Sequence, residues 1–277
     1  MHMKPFQEGT FPEKFLTPPT YRSQIAPPSL IAKYFPSLYF YSHLLLGPFR
    51  WLCLHGYAKT CNDFVWAYGS TWFIEQVESL GCPLIIEGLD VLANLKEPCV
   101  FVANHMSTLE TFFLPGIIRP YLPVTFVVKH SLVDIPLFGP VMRSRDPIVL
   151  NRKNPREDLS VVLNEGQKRL ANGISIIIFP QSTRMAKFDP QNFNTIGEKL
   201  AKKANVPVVP IALKTDAWTA GRHIKEIGPI LAGMPIHFRF HEPCQVIGNG
   251  KALHGEICEF ITKSLEEWST DTPKTLS

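Results

Sequence analysis

Six short, continuous apolar runs punctuate the chain from residue 83 onward: PLIIEG at 83–88, PCVFVAN at 98–104, VTFVVK at 124–129, PIVLN at 147–151, ISIIIFP at 174–180 and VPVVPIAL at 206–213. Runs that stay apolar instead of alternating mark strands buried on both faces, as in a mostly parallel sheet with helices packed over it. The segments between them carry a helical period. From Pro155 to Gly173, Leu159, Val162, Leu163 and Leu170 form a stripe, with Glu157 and Asp158 in the first turn, Lys168 and Arg169 near the end and Gly173 as the stop. A shorter helix is predicted over 195–204, an alternating strand over 236–240 and a closing amphipathic helix over 253–268. The pattern is that of an α/β domain over 83–277.

Residues 1–82 read differently. The start has no basic, apolar and small-residue pattern of a signal peptide, so it is expected to be retained and loosely ordered. Residues 34–54, YFPSLYFYSHLLLGPFRWLCL, are the most aromatic stretch, yet Pro36, His43, Gly47, Pro48 and Arg50 interrupt it. A spanning helix needs about 20 predominantly apolar residues. Such a segment can instead lie in a membrane interface on aromatic anchors, or fold as a hydrophobic helix onto the main domain. A second helical pattern over 62–80 places Phe64, Tyr68 and Trp72 on one face, so the segment reads as a helical pair.

Composition narrows the classes. A chain of 277 residues with 45% hydrophobic content can fill a continuous core, and no internal repeat divides it. The six cysteines form no CxxC pair, which argues against a zinc module and a secreted disulfide framework. A formal charge of +4 suits an anionic surface or phosphate-bearing substrates but falls well short of a nucleic-acid binder. His237, His241 and Glu242 have metal-ligand chemistry, but strand alternation explains the histidines. No G-x-S-x-G elbow, P-loop or dinucleotide fingerprint occurs.

Candidate chemistry follows the strands. Asn104-His105-Met106-Ser107-Thr108-Leu109-Glu110 follows one buried run and opens a helix, the place where α/β folds bind ligands. His105 and Glu110 are five apart, about 140° around a regular helix, so they meet only if His105 lies in the turn before it. Ser107-x-x-Glu110 supplies that turn as a capping box, and Glu110 has both readings: a cap, or the carboxylate that orients His105 as a general base toward an alcohol attacking a thioester. Phe179-Pro180-Gln181-Ser182-Thr183-Arg184 follows a second run, and Lys129 ends a third. Cations at converging strand ends are either solvated or form a phosphate clamp.

Taken in order, these blocks resemble the glycerolipid acyltransferases typified by 1-acyl-glycerol-3-phosphate acyltransferase. Asn-His-x-Ser-x-x-Glu at 104–110 resembles the family's His-x4-acid block, and Lys129 through Arg152 its second block. Phe-Pro-Gln-Ser-Thr-Arg at 179–184 is similar to Phe-Pro-Glu-Gly-Thr-Arg, and Val206 to Pro210 to the proline-containing fourth block. The resemblance implies transfer of an acyl group from acyl-CoA or acyl-carrier protein to a lysophospholipid such as lysophosphatidate, at the cytoplasmic face of a membrane, without metal or other cofactor and without nucleic acid. It implies His105 and Glu110 as catalytic, and Asn104, Ser107, Lys129, Arg152, Gln181, Ser182, Thr183 and Arg184 as substrate-binding. It also assigns 1–82 to membrane docking. Glu110 stands where aspartate is commoner but keeps the charge; Gln181 and Ser182 replace Glu and Gly, which opens two alternatives: a different lysophospholipid or polar-lipid acceptor, as in remodelling, or a catalytically inactive lipid-binding protein.

Overall fold

The computed structural model describes residues 5–16, 19–181, 183–222 and 224–270. The N-terminal part contains β1 (Thr20–Arg22), α1 (Leu30–Tyr34), α2 (Pro36–Leu46), α3 (Pro48–Tyr57) and α4 (Asp63–Glu78). The expected helical pair is thus four helices. Pro36 and Pro48 begin α2 and α3 in the first turn, where a missing N–H costs nothing and the fixed φ favours helix, so the prolines divide the aromatic stretch into separate helices. In α4 the residues facing the core are Val65, Trp66, Phe73, Ile74 and Val77, while Phe64, Tyr68 and Trp72 share one face as expected. Those three form an outer aromatic face, which Trp51 of α3 and Phe11 cover in part. Nor is the described start of the chain loose: Phe6 packs on Trp51 and Tyr68, and Phe15 is fully buried.

After α4 come β2 (Leu84–Glu87), α5 (Leu89–Asn94), β3 (Val100–Ala103), α6 (Leu109–Ile118), β4 (Val124–Lys129), α7 (His130–Val133), α8 (Gly139–Arg143) and β5 (Ile148–Leu150). Then follow α9 (Pro155–Ala171), β6 (Ser175–Ile178), α10 (Ile196–Ala204), β7 (Val208–Lys214), β8 (Ile236–Phe240) and α11 (Lys251–Ser269). The eight strands form one mixed sheet in the order β1-β2-β8-β7-β3-β6-β4-β5. Only the β1–β2 and β7–β8 pairings are antiparallel. Every predicted apolar run is a strand. The predicted alternation of β8 is not seen, because β8 sits inside the sheet between β2 and β7 and four of its five residues are buried.

Each central strand serves two cores. In β3, Phe101 and Ala103 join the layer beneath α4, α5 and α6, while Val100 and Val102 join the layer under α9, α10 and α11. In α9 the line facing that second layer is Val162, Gly166 and Leu170, and Gly173 at φ +79° stops the chain as predicted. The N-terminal helices share the first core: Phe40 of α2 lies edge-on to Phe73 of α4 and to Trp218. Four adjacent strands, β7, β3, β6 and β4, run parallel, so their carboxyl ends open along one edge.

Candidate active site

Along that edge, β3 ends at Ala103 and delivers Asn104 and His105 into the turn before α6. Asn104 is buried, with both ends of its amide committed to β7: Nδ2 donates to Leu213 O at 2.8 Å, and Leu213 N–H donates to Oδ1 at 2.9 Å. This strap closes the gap between two strand ends and fixes the residue that follows. His105 N–H donates to Gln181 Oε1 at 2.6 Å, and its carbonyl accepts from Met185 N–H at 2.9 Å. The imidazole lies flat on Phe179, with centroids 4.4 Å apart.

The ring Nδ1 lies 2.8 Å from Glu110 Oε1, so the two residues meet because His105 precedes the helix. With Nδ1–H given to the carboxylate, Nε2 is left as the acceptor of the neutral ring. Glu110 is completely buried, and donors surround it. Met106 and Ser107 N–H reach Oε1 at 2.8 and 2.9 Å, while Thr215 Oγ1 donates to Oε2 at 2.6 Å. Ser107 Oγ lies 2.9 Å from Oε2 and accepts from Leu109 N–H. Burial alone would raise this carboxyl, but the bonds and charge of His105, followed by those of Thr215 and Ser107, outweigh it and hold the group below the ordinary carboxylate range. One carboxylate thus makes both sets of contacts. It ties the turn before α6, whose N-cap is Thr108 and not the expected Ser107, and it bonds the imidazole.

From β6, the turn through Pro180 brings in Gln181, which is buried and bridges to Phe193. Asn104, Ser107 and Gln181 thus hold His105 and Glu110 in place and spend their polar groups on neighbours, apart from Gln181 Nε2. Ser182 lies outside the described residues, and Thr183 is exposed. Arg184 returns toward the histidine: Nη1 donates to Thr108 Oγ1 and Nη2 to Glu226 Oε1 at 2.5 Å. Lys129 is exposed at the end of β4, the strand beside β6. Arg152 lies farther out, just past the edge strand β5, at φ +55°.

Three participants were not singled out from sequence. Thr215 follows β7 as His105 follows β3, so the same strand-end logic could have found it. Thr108 sits inside the first block without an assigned role. Glu226 lies in a polar loop with no local signal. As for metals, no group of three candidate ligands exists among the described residues; His237 is buried with its ring stacked 4.8 Å from Trp268, and His241 lies beyond β8 with Nδ1 3.0 Å from Glu242 O.

The acyltransferase family profile matches residues 84–214, which takes in every strand from β2 to β7. The 1-acyl-sn-glycerol-3-phosphate acyltransferase of Pseudomonas aeruginosa is 33% identical over 219 residues, covering 76% of each chain. A probable 1-acyl-sn-glycerol-3-phosphate acyltransferase of Mycoplasma genitalium is 33% identical over 138 residues, 48% of this chain and 51% of its own. In fold, the chain matches the crystal structure of the 1-acyl-sn-glycerophosphate acyltransferase PlsC of Thermotoga maritima with a TM-score of 0.62 at 21% identity, over 86% of this chain and 97% of that one. A strand-end histidine held by a buried acid, a matching profile over the sheet and a relative alike over three quarters of both chains place this protein in the glycerolipid acyltransferase family, as an O-acyltransferase.

Proposed function

We propose that the protein transfers a fatty acyl group from the thioester of acyl-CoA or acyl-carrier protein to the free hydroxyl of 1-acyl-glycerol-3-phosphate, with His105 as general base. The observation that carries this reading is the His105–Glu110 pair at 2.8 Å, its carboxylate buried and fully donated to. Nε2 takes the hydroxyl proton as the oxygen attacks the thioester carbonyl. The C–O bond forms, the C–S bond breaks, and the imidazolium returns the proton to the departing thiolate. Glu110 stabilises the imidazolium and fixes the tautomer. The names of the Pseudomonas and Mycoplasma relatives support lysophosphatidate as acceptor. An inactive lipid binder would have no use for a buried carboxylate that orients a base.

Arg184, tied through Thr108 to the turn that carries His105, together with Lys129 on the neighbouring strand, supplies the grip on the acceptor phosphate. A guanidinium can hold two phosphate oxygens at once. Arg184→Ala and Lys129→Ala are expected to raise the acceptor KM with the donor KM nearly unchanged, and Arg184→Lys to fall between wild type and Arg184→Ala. Steady-state kinetics with both substrates varied measures this. An unchanged acceptor KM in both alanine variants would send the phosphate elsewhere, with Arg152 next in line.

The same reading places α1, α2 and α3 on a membrane. Leu30, Ile31, Tyr34, Phe35, Leu38 and Leu46 are each at least 60% exposed, a density of apolar surface that soluble monomers rarely show. No acidic residue occurs between Glu13 and Asp63, whereas Lys14, Arg22, Lys33, Arg50 and Lys59 do. No helix among the described residues is long and apolar enough to cross a bilayer. The protein is therefore expected to float with anionic vesicles and to yield no new cleavage site when protease is sealed inside them. A fragment cut from the far side would require a spanning topology.

A further inference from the structure

Arg184 is already paired. Its partner Glu226 sits on the excursion between Trp218 and Ile230, which close it as an antiparallel bridge. A carboxylate offers a guanidinium the same kind of two-oxygen edge that a phosphate does. Here Glu226 offers one oxygen, Oε1, to Nη2 while Nη1 serves Thr108, so it occupies part of the place that the proposed function gives to the acceptor's headgroup. With Arg184 19% and Glu226 51% exposed, the pair is open enough to water to exchange readily.

The tip around Glu226 faces outward. Ile224 and Ile227, on either side of Glu226, are each 55% exposed, and Arg222 and Lys225 are exposed as well. The loop is compact. Thr219 N–H donates to Pro229 O, and Gly221 N–H to Lys225 O. At Gly221 and Gly228 its arms cross so closely that a Cβ would lie within 2.1 Å of backbone atoms, so only glycine fits either position. Two bonds tie it to α2: Tyr41 Oη donates to Gly228 O at 2.7 Å, and Ile230 N–H donates to Ser37 Oγ at 3.0 Å. The loop thus adjoins the exposed apolar helices, and it carries cations beside apolar side chains as they do.

We propose that Arg222 and residues 224–227 form a second contact with an anionic bilayer and that Glu226 is an internal stand-in for the acceptor, holding Arg184 until insertion of Ile224 and Ile227 and attraction of Arg222 and Lys225 to lipid headgroups draw it away. The proposal rests on Arg184 as the phosphate-binding residue. It makes acceptor binding respond to the membrane surface while donor binding does not. A monomeric acceptor in solution must compete with Glu226; one met at a bilayer need not.

The test uses the full chain and a short-chain lysophosphatidate that stays monomeric, assayed without vesicles, with phosphatidylcholine vesicles, and with phosphatidylcholine–phosphatidylglycerol vesicles. In wild type the acceptor KM should fall roughly two- to fivefold on the anionic vesicles, the range expected when a partly exposed ion pair is released, with the donor KM unmoved. Glu226→Gln should show the lower acceptor KM without vesicles and gain nothing from them. Ile224→Asp combined with Ile227→Asp should keep the wild-type KM in solution and lose the vesicle response. A Glu226→Gln protein that responds to vesicles as wild type does would overturn the proposal. Arg184→Ala separates the two levels: an unchanged acceptor KM there removes the phosphate assignment and this proposal together, whereas a raised one alongside a wild-type-like Glu226→Gln removes this proposal alone.

Discussion

Alanine at position 105 is expected to slow acyl transfer by about 10²- to 10⁴-fold, the range general-base catalysis contributes, in a protein that still folds. The side chain being removed is partly exposed and stacks on one ring, and Glu110 keeps the donors of Met106, Ser107 and Thr215 when the imidazole goes. One hydrogen bond to a charged group is lost, which costs about 1.5–3 kcal/mol. Turnover measured beside a thermal unfolding curve separates the two effects. Near-wild-type turnover in the folded variant would take His105 out of the reaction.

Glu110→Gln should be nearly as damaging to turnover, about 10²-fold or more, because the charge that stabilises the imidazolium is gone. The amide can still fit. Its oxygen can take the N–H groups of His105, Met106 and Ser107 while its NH₂ faces the hydroxyls of Ser107 and Thr215, which rotate to accept. Glu110→Ala has no such recourse and should also destabilise the fold, since buried donors lose their acceptor. The wild-type carboxylate leaves a signature in acid. Its folded pKa lies below the ordinary value of 4.5, so its contribution to stability is complete above that value and is lost as pH falls through the folded one. Urea unfolding followed from pH 6 downward should show this loss in wild type and not in Glu110→Gln. Parallel acid profiles for the two proteins would mean that the carboxylate is not held as described.

The sheet was legible because continuous apolar runs can be satisfied only between two packed layers, and β2 to β7 all have that form. The first eighty residues were less so. Prolines read as interruptions turned out to start helices, and the aromatic face of α4 is covered in part by Trp51 of the preceding helix and by Phe11, contacts that helical period alone does not encode. For the site, His105 and Glu110 could be paired from spacing, since both lie in one turn. Thr215 could be picked out as a strand-end residue but not paired with Glu110, because that contact spans 105 residues and depends on strand order, which local pattern does not encode. Glu226 reaches Arg184 across 42 residues from a loop without periodicity, so neither its partner nor its importance was visible.

The Asn104 strap has a temporal consequence. Its two bonds to Leu213, and the donor that Thr215 gives to Glu110, come from residues made more than a hundred positions after the histidine. During synthesis the apolar helices over 30–57 emerge before the sheet, and the last support of His105 arrives only with β7. On the proposed function, a growing chain would carry its lipid-binding surface well before its histidine is fully braced, and a chain terminated before β7 would lack that bracing altogether.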